Sequence, residues 1–284
     1  MAASIVMPAM TAAQAVEDLE IDLLLEGVFQ FSGYDFRGYQ REPLRQKLHG
    51  LMQADGMPTV SALQDRVLHD TAAFESLLRV LSGQPAPLFD NPGHFRALRD
   101  SLGPWLRSCP SPKIWIADCL SSEEACSLAI LLKEENLYDR TRIFATVSNE
   151  SLLEEASGGC FPLDRMPEYE ENYRRSGGQS SLASYCIESE GKALFIPELR
   201  RNITWAHYNL TTDASFNEFE LIICRRRLGD FGVALRRRAL QLFHESLPLF
   251  GMLSVDTTAD LSATPFDSRY KPVCAEQGLY RRMV

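Results

Sequence analysis

The sequence predicts an α/β protein. A small helical domain spans residues 1–83, and a larger domain, residues 84–284, is built on a mostly parallel sheet with a small antiparallel β insertion at about 161–203. Three observations carry this expectation. Apolar residues recur at helical spacing up to Gly83, a stretch with three prolines then breaks the pattern, and beyond it short β-rich apolar runs alternate with amphipathic helical segments.

In chain order, the leader MAASIVMPAMTAAQA is apolar with no Lys or Arg ahead of it, and reads as a frayed or helical lead-in rather than a signal peptide. AVEDLEIDLLLEGVFQFSG is helical and stops at Gly33. REPLRQKLHGLMQADG places Leu44, Leu48, Leu51 and Met52 on one face and stops at Gly56. ALQDRVLHD and FESLLRVLSG complete the helical domain. QPAPLFDNPGHF is the linker. After the helix HFRALRDSLGPWLRSC, the strand KIWIAD leads to the helix EEACSLAILLKEEN, and the strand RIFATV to the helix ESLLEEAS. ASYCIES and KALFIPE are the two β-like runs of the insertion. NITWAHYNL, FELIICR and GMLSVD are further strands, with the helix VALRRRALQLFHESL between the last two.

Composition narrows the function classes. The chain is 45% hydrophobic and 24% charged, ordinary for a globular protein, and its net charge of -9 argues against nucleic acid polymers and anionic membranes as partners. No apolar run reaches the roughly 20 residues that span a bilayer, so no membrane insertion is expected. Seven cysteines without a CxxC pair or zinc-site spacing point to reduced thiols in the cytoplasm and to no metal.

The order of elements and five short motifs together resemble the CheR-type methyltransferases, which transfer a methyl group from S-adenosylmethionine (SAM) to glutamate side chains of chemoreceptors. The resemblance covers nearly the whole chain and implies a Rossmann-like methyltransferase fold after the helical domain. It rests on Tyr39, Leu44 and Arg45 in the helical domain. It rests also on Trp115 to Ala129, where the family reads WSAGCSTGEEPYSLA and this chain keeps Trp115, Ala117, Cys119, Glu123, Glu124, Ser127, Leu128 and Ala129. Ala145-Thr146 with Leu153, Ala156 and Gly159, then Asn209-Leu210, then Phe219 to Phe231, where the family reads FDLIFCRNVLIYF and this chain has Arg227 in place of its valine, match the later motifs.

The departures fall where the resemblance places the cofactor. Glycines of the first turn become Asp118 and Ser122, and the acid expected to bind ribose hydroxyls becomes Val147. In the stretch that the family writes NVTxFFRDP, Gln84, Ala86 and Asp90 replace Asn, Thr and Arg, and Arg226 replaces the Asn after Cys-Arg. Glu123, Asn209 and Leu210 remain as relic cofactor positions. An apolar wall leaves buried ribose hydroxyls unpaired at about 1–3 kcal/mol each. The expectation is therefore a protein with no cofactor and no catalytic residue, a non-enzymatic signalling or adaptor protein with a protein partner. The alternative is an active SAM-dependent protein glutamate methyltransferase with a remodelled pocket.

Arg225, Arg226, Arg227 and Asp230 follow a predicted strand, where α/β sheets place ligands, and arginine forks bind phosphate. A cyclic dinucleotide or other phosphorylated ligand is a second expectation; single arginines paired with nearby acids are the plainer one.

Overall fold

The computed structural model describes residues 11–257, 261 and 264–284. The first ten residues of the apolar leader lie outside them. The chain divides after Leu81 into two compact units.

The first unit is helical. α1 (Ala12–Ser32) opens with a capping box, Thr11 accepting from the Gln14 amide while the Gln14 side chain accepts from the Thr11 amide. It closes on Gly33 in the left-handed region. α2 (Arg41–Ala54), α3 (Val60–His69) and α4 (Thr71–Ser82) follow. Ile21, Leu24 and Val28 of α1 pack on Leu44 and Leu48 of α2, Leu63 and Val67 of α3 and Leu77 of α4. The positions predicted for the apolar faces are the ones buried, apart from Met52, which packs partly exposed at the rim.

The second unit begins with α5 (Pro92–Ser108), β1 (Lys113–Ala117), α6 (Ser122–Glu134), β2 (Arg142–Val147), α7 (Glu150–Ser157) and β3 (Cys160–Pro162). It continues with α8 (Met166–Arg175), β4 (Cys186–Ser189), β5 (Lys192–Phe195), α9 (Pro197–Arg200), β6 (Ile203–His207) and β7 (Leu221–Cys224). α10 (Val233–Glu245), β8 (Met252–Val255), β9 (Tyr270–Cys274) and β10 (Leu279–Arg282) end it. The main sheet has the order β6-β2-β1-β7-β8-β10-β9. Its first five strands are parallel, and β10 runs antiparallel to both neighbours. β3, β5 and β4 form a separate antiparallel sheet.

Both faces of the main sheet are covered, as the continuous apolar runs require. Ile114 and Ile116 pack under Leu128, Leu131 and Leu132 of α6. Trp115, fully buried on the other face, meets Tyr208, Phe216, Phe219 and Phe243 edge-on or tilted, and its Nε1 donates to Thr146 Oγ1 at 2.8 Å. The small sheet is fastened by Glu134 at the end of α6. Its carboxylate pairs with Arg99 and accepts from Tyr173 and Tyr185. The segment read as a linker packs into this core, with Leu88 and Phe89 both fully buried.

The hairpin β9–β10 is an addition to the strands read from the sequence. At its turn Gly278 has φ 65°, and a Cβ there would lie 2.1 Å from the Val255 carbonyl oxygen. Among the described residues no helix is long and apolar enough to cross a membrane.

Candidate functional site

Strand order reverses between β1 and β7, the switch point where open α/β sheets receive ligands at the carboxyl ends of the strands. Asp118, directly after β1, keeps a left-handed backbone at φ 60°, which aspartate tolerates better than most residues. Its buried carboxylate forms an ion pair with Arg227 and accepts from Ser148 Oγ at 2.9 Å. Arg227 also donates to Ser148 Oγ at 3.1 Å and lies 3.8 Å from Asp230. The ends of β1, β2 and β7 are thereby clasped by one buried polar knot.

The other two arginines are engaged as well. Arg225 Nη1 donates to the carbonyls of Gln277 (2.8 Å) and Val255 (3.2 Å) and reaches His94 Nδ1 at 3.2 Å. Burial, reinforced by Arg225, pulls His94 well below the ordinary imidazole value, so the ring is neutral and its Nδ1 accepts. Arg226 forms an ion pair with Asp90. The forks expected to offer themselves to a phosphate are turned onto partners within the chain, which removes the geometric basis of the cyclic dinucleotide expectation.

α6 starts just above this knot. Its N-cap Ser121 accepts from the Glu124 amide and donates its own hydroxyl to the Ala86 carbonyl at 2.8 Å. Ser127 Oγ donates to the Glu123 carbonyl and accepts from the Phe89 amide, both at 2.7 Å. These bonds lock the segment before α5 against α6. Ser122 is buried and donates to Glu123 at 3.1 Å.

The two glutamates part company. Glu123 turns toward Arg165 and Tyr169 at the small sheet, its carboxyl pushed up by burial. Glu124 turns to the strand ends. Its carboxyl is pushed up to about 7, first by burial and then by Asp118 and Asp90, against the opposing pull of Arg226 and Arg225. Among the described residues no donor reaches it. Sequence reasoning kept Glu123 as the relic contact; Glu124 is the acid that the strand-end charges surround.

The remaining predicted positions scatter. Val147 is fully buried in an apolar cluster with Leu120, Leu152 and Ala156. Asn209 turns its side-chain oxygen onto the amide and hydroxyl of Thr211 at 2.9 and 2.8 Å, a local turn beyond β6. Leu210 is buried, and Gln84 is exposed. Ser148 was not singled out from sequence, where no spacing marks it; His94, which stands alone in the sequence and reads there as a satisfied or exposed imidazole, is buried against Arg225. Among the described residues no group of three His, Cys, Asp or Glu side chains is arranged to hold a metal.

The donor set at the switch point suits the charged end of SAM, an amino acid carrying an ammonium, because Glu124 offers an unbonded carboxylate among arginines already neutralised by acids. Where the resemblance implies a ribose-binding acid, Val147 and Leu120 belong to an apolar cluster.

Residues 19–82 match the CheR methyltransferase all-alpha domain, and residues 86–270 match the CheR methyltransferase SAM binding domain. Cher3 of Pseudomonas putida, a methyltransferase by name, is 42% identical over 266 residues, 93% of this chain and 97% of its own length. A chemotaxis protein methyltransferase of Listeria innocua is 25% identical over 244 residues, 84% of this chain and 90% of its own. The match to a SAM binding domain overturns the expectation that the chain takes no cofactor: SAM is the cofactor to which the domain points. The missing glycines misled because the aspartate at the first of them is held in a left-handed backbone, the conformation glycine adopts freely, and its charge is cancelled by Arg227. With both halves matched in order, the chain belongs to the CheR methyltransferase family.

Proposed function

We propose that the chain is a SAM-dependent methyltransferase that esterifies carboxylate side chains of a signalling protein, using a pocket remodelled from the family pattern. The observation that carries this reading is that the departures are paired. Asp118 stands where the family has glycine, and its partner Arg227 where the family has valine. Asp90 replaces arginine, and its partner Arg226 replaces asparagine. Val147 replaces an acid and packs with Leu120, which replaces serine. Changes that accumulate after a site falls out of use have no reason to complement one another across strand ends. The adaptor reading rested on the loss of the cofactor and gives way with it. The name of the Listeria relative supports a protein of chemotaxis signalling as acceptor. Residues 84–284 form the catalytic domain in this proposal and residues 1–83 the accessory one, and the seven free cysteines suit action in the reducing cytoplasm.

SAM supplies a methyl group on a positively charged sulfur, and transfer to a carboxylate oxygen forms an O–C bond as the S–C bond breaks, leaving a neutral thioether and releasing no proton. The chain therefore needs alignment more than acid–base catalysis. Glu124 would accept from the ammonium of bound SAM. The Asp118–Arg227–Ser148 knot holds the turn after β1, and Leu120 with Val147 keeps water from the far wall.

Calorimetric titration of the whole chain with SAM and with its demethylated product S-adenosylhomocysteine (SAH) tests the reading. Both should bind, and Glu124→Gln should weaken both about tenfold or more, the loss of a charge-assisted hydrogen bond. A folded chain that takes up neither ligand would refute it.

A further inference from the structure

α1 is apolar on two opposite sides. One side, with Ile21, Leu24, Leu25 and Val28, is buried in the helical core. At about 100° per residue, Ala12, Val16, Leu19, Leu23, Glu26 and Gln30 line the other side, four and three positions apart in turn. Val16, Leu19 and Leu23 are 59, 58 and 52% exposed. α2 and α3 reach α1 on the two flanks of this line. Arg41 and Arg45 pair with Asp22 and Asp18 on one, and Ser61 and Gln64 donate to Glu20 and to the Leu23 carbonyl on the other.

The spacing of Val16, Leu19 and Leu23 is that of the anchors by which one helix lies along another. A single exposed apolar residue is ordinary; three aligned on one side of a helix form a contact surface. Because α1 is fixed in the core along its opposite side, a partner helix meets a preformed surface and orders only itself. The charges beside this seam decide what kind of helix fits. α1 carries five acids, Glu17, Asp18, Glu20, Asp22 and Glu26, and no Lys or Arg. Glu20 borders the seam on one edge and Asp22 on the other, and Glu26 closes its far end. The ion pairs of Asp22 with Arg41 and of Glu26 with Arg37 are solvent-exposed, so they hold these acids weakly. Such edges repel an anionic lipid surface, and a second copy of the chain would bring acid against acid.

We infer that the open side of α1 seats an amphipathic helix of a protein partner, one whose apolar stripe is edged by Lys and Arg. The inference goes beyond the methyltransferase reading and does not rest on it. The seam also extends past the family pattern: α1 begins at Ala12, whereas the match to the all-alpha domain begins at residue 19, so Ala12 and Val16 lie outside the matched part.

The test is fluorescence anisotropy of the full chain with two labelled three-heptad peptides, alike in Leu at the a and d positions and carrying either Lys or Glu at the e and g positions. The lysine peptide should bind about tenfold tighter than the glutamate peptide or better, and raising salt from about 20 to 300 mM should narrow the gap. Leu19→Ser with Leu23→Ser should weaken the lysine peptide by about tenfold or more. Its circular dichroism and melting temperature should stay near those of the unaltered chain, because neither side chain belongs to the core. Asp22→Lys with Glu26→Lys, which leaves the apolar anchors in place, should turn the preference toward the glutamate peptide. The inference is overturned if the two peptides bind alike, if neither binds, or if the leucine variant keeps full affinity. It is also overturned if sedimentation finds a dimer that Leu19→Ser with Leu23→Ser dissociates, which makes a second copy the occupant. Binding of the lysine peptide only after Ile5→Ser with Val6→Ser overturns it too, since the chain's own leader then covers the seam.

Discussion

At the scale of single residues, Glu124 carries the clearest pH signature. Its folded value of about 7 lies above the ordinary 4.5, so the folded chain holds a proton that the unfolded chain has released between those limits. The contribution of this group to stability is thus greatest below the ordinary value and declines as pH rises toward 7. Glu124→Gln removes the decline, and denaturant unfolding at pH 8 should find the variant more stable by on the order of 2 kcal/mol, with little difference near pH 4. Ligand binding has the opposite slope. SAM affinity of the unaltered chain should climb as the carboxylate ionises through about pH 7, whereas that of the variant stays flat. The Glu123–Glu124 pair was legible in the sequence as a motif. Which glutamate faces the strand ends was not, because the phase of α6 is set by Ser121 and its bond to the Ala86 carbonyl, not by spacing within the helix.

At the scale of elements, α6 depends on that cap for two things at once. Ser121→Ala loses a bond to the helix and one to the segment before α5, and should lower unfolding free energy by about 1–2 kcal/mol. The hairpin β9–β10 matters to the site through the carbonyls of Val255 and Gln277 that hold Arg225. Gly278→Ala should cost about 1–3 kcal/mol from the left-handed backbone alone, with the clash on Val255 added, and should loosen Arg225. The parallel strands could be read as apolar runs because they are buried on both faces. YKPVC and LYRR could not: they form an edge and its neighbour, mix Lys, Arg and Pro into the pattern, and find their partners only once β8 is in place.

At the scale of the whole molecule, the proposed reaction brings a chain of net charge -9 to an acidic acceptor against like charge. Raising salt from about 20 to 150 mM shortens the screening length from roughly 20 to 8 Å, and should lower KM for an acidic protein acceptor, the reverse of an oppositely charged pair. The fold was legible, since it follows from element order. The state of the site was not, since its complementary residues are remote in the chain: Asp90 and Arg226 are 136 positions apart. Met singly along the sequence, each change looks like a loss, and only contact shows the pairs. The buried Asp118–Arg227 pair also sets the order in which its two members can be removed. Asp118 facing a valine would bury a lone carboxylate, a deficit of about 3–5 kcal/mol in a protein whose whole margin is about 5–15. An arginine facing a glycine at position 118 can swing its long stem toward water. Asp118→Gly with Arg227 in place should therefore cost less stability in denaturant unfolding than Arg227→Val with Asp118 in place, so the pair can be dismantled by removing Asp118 first.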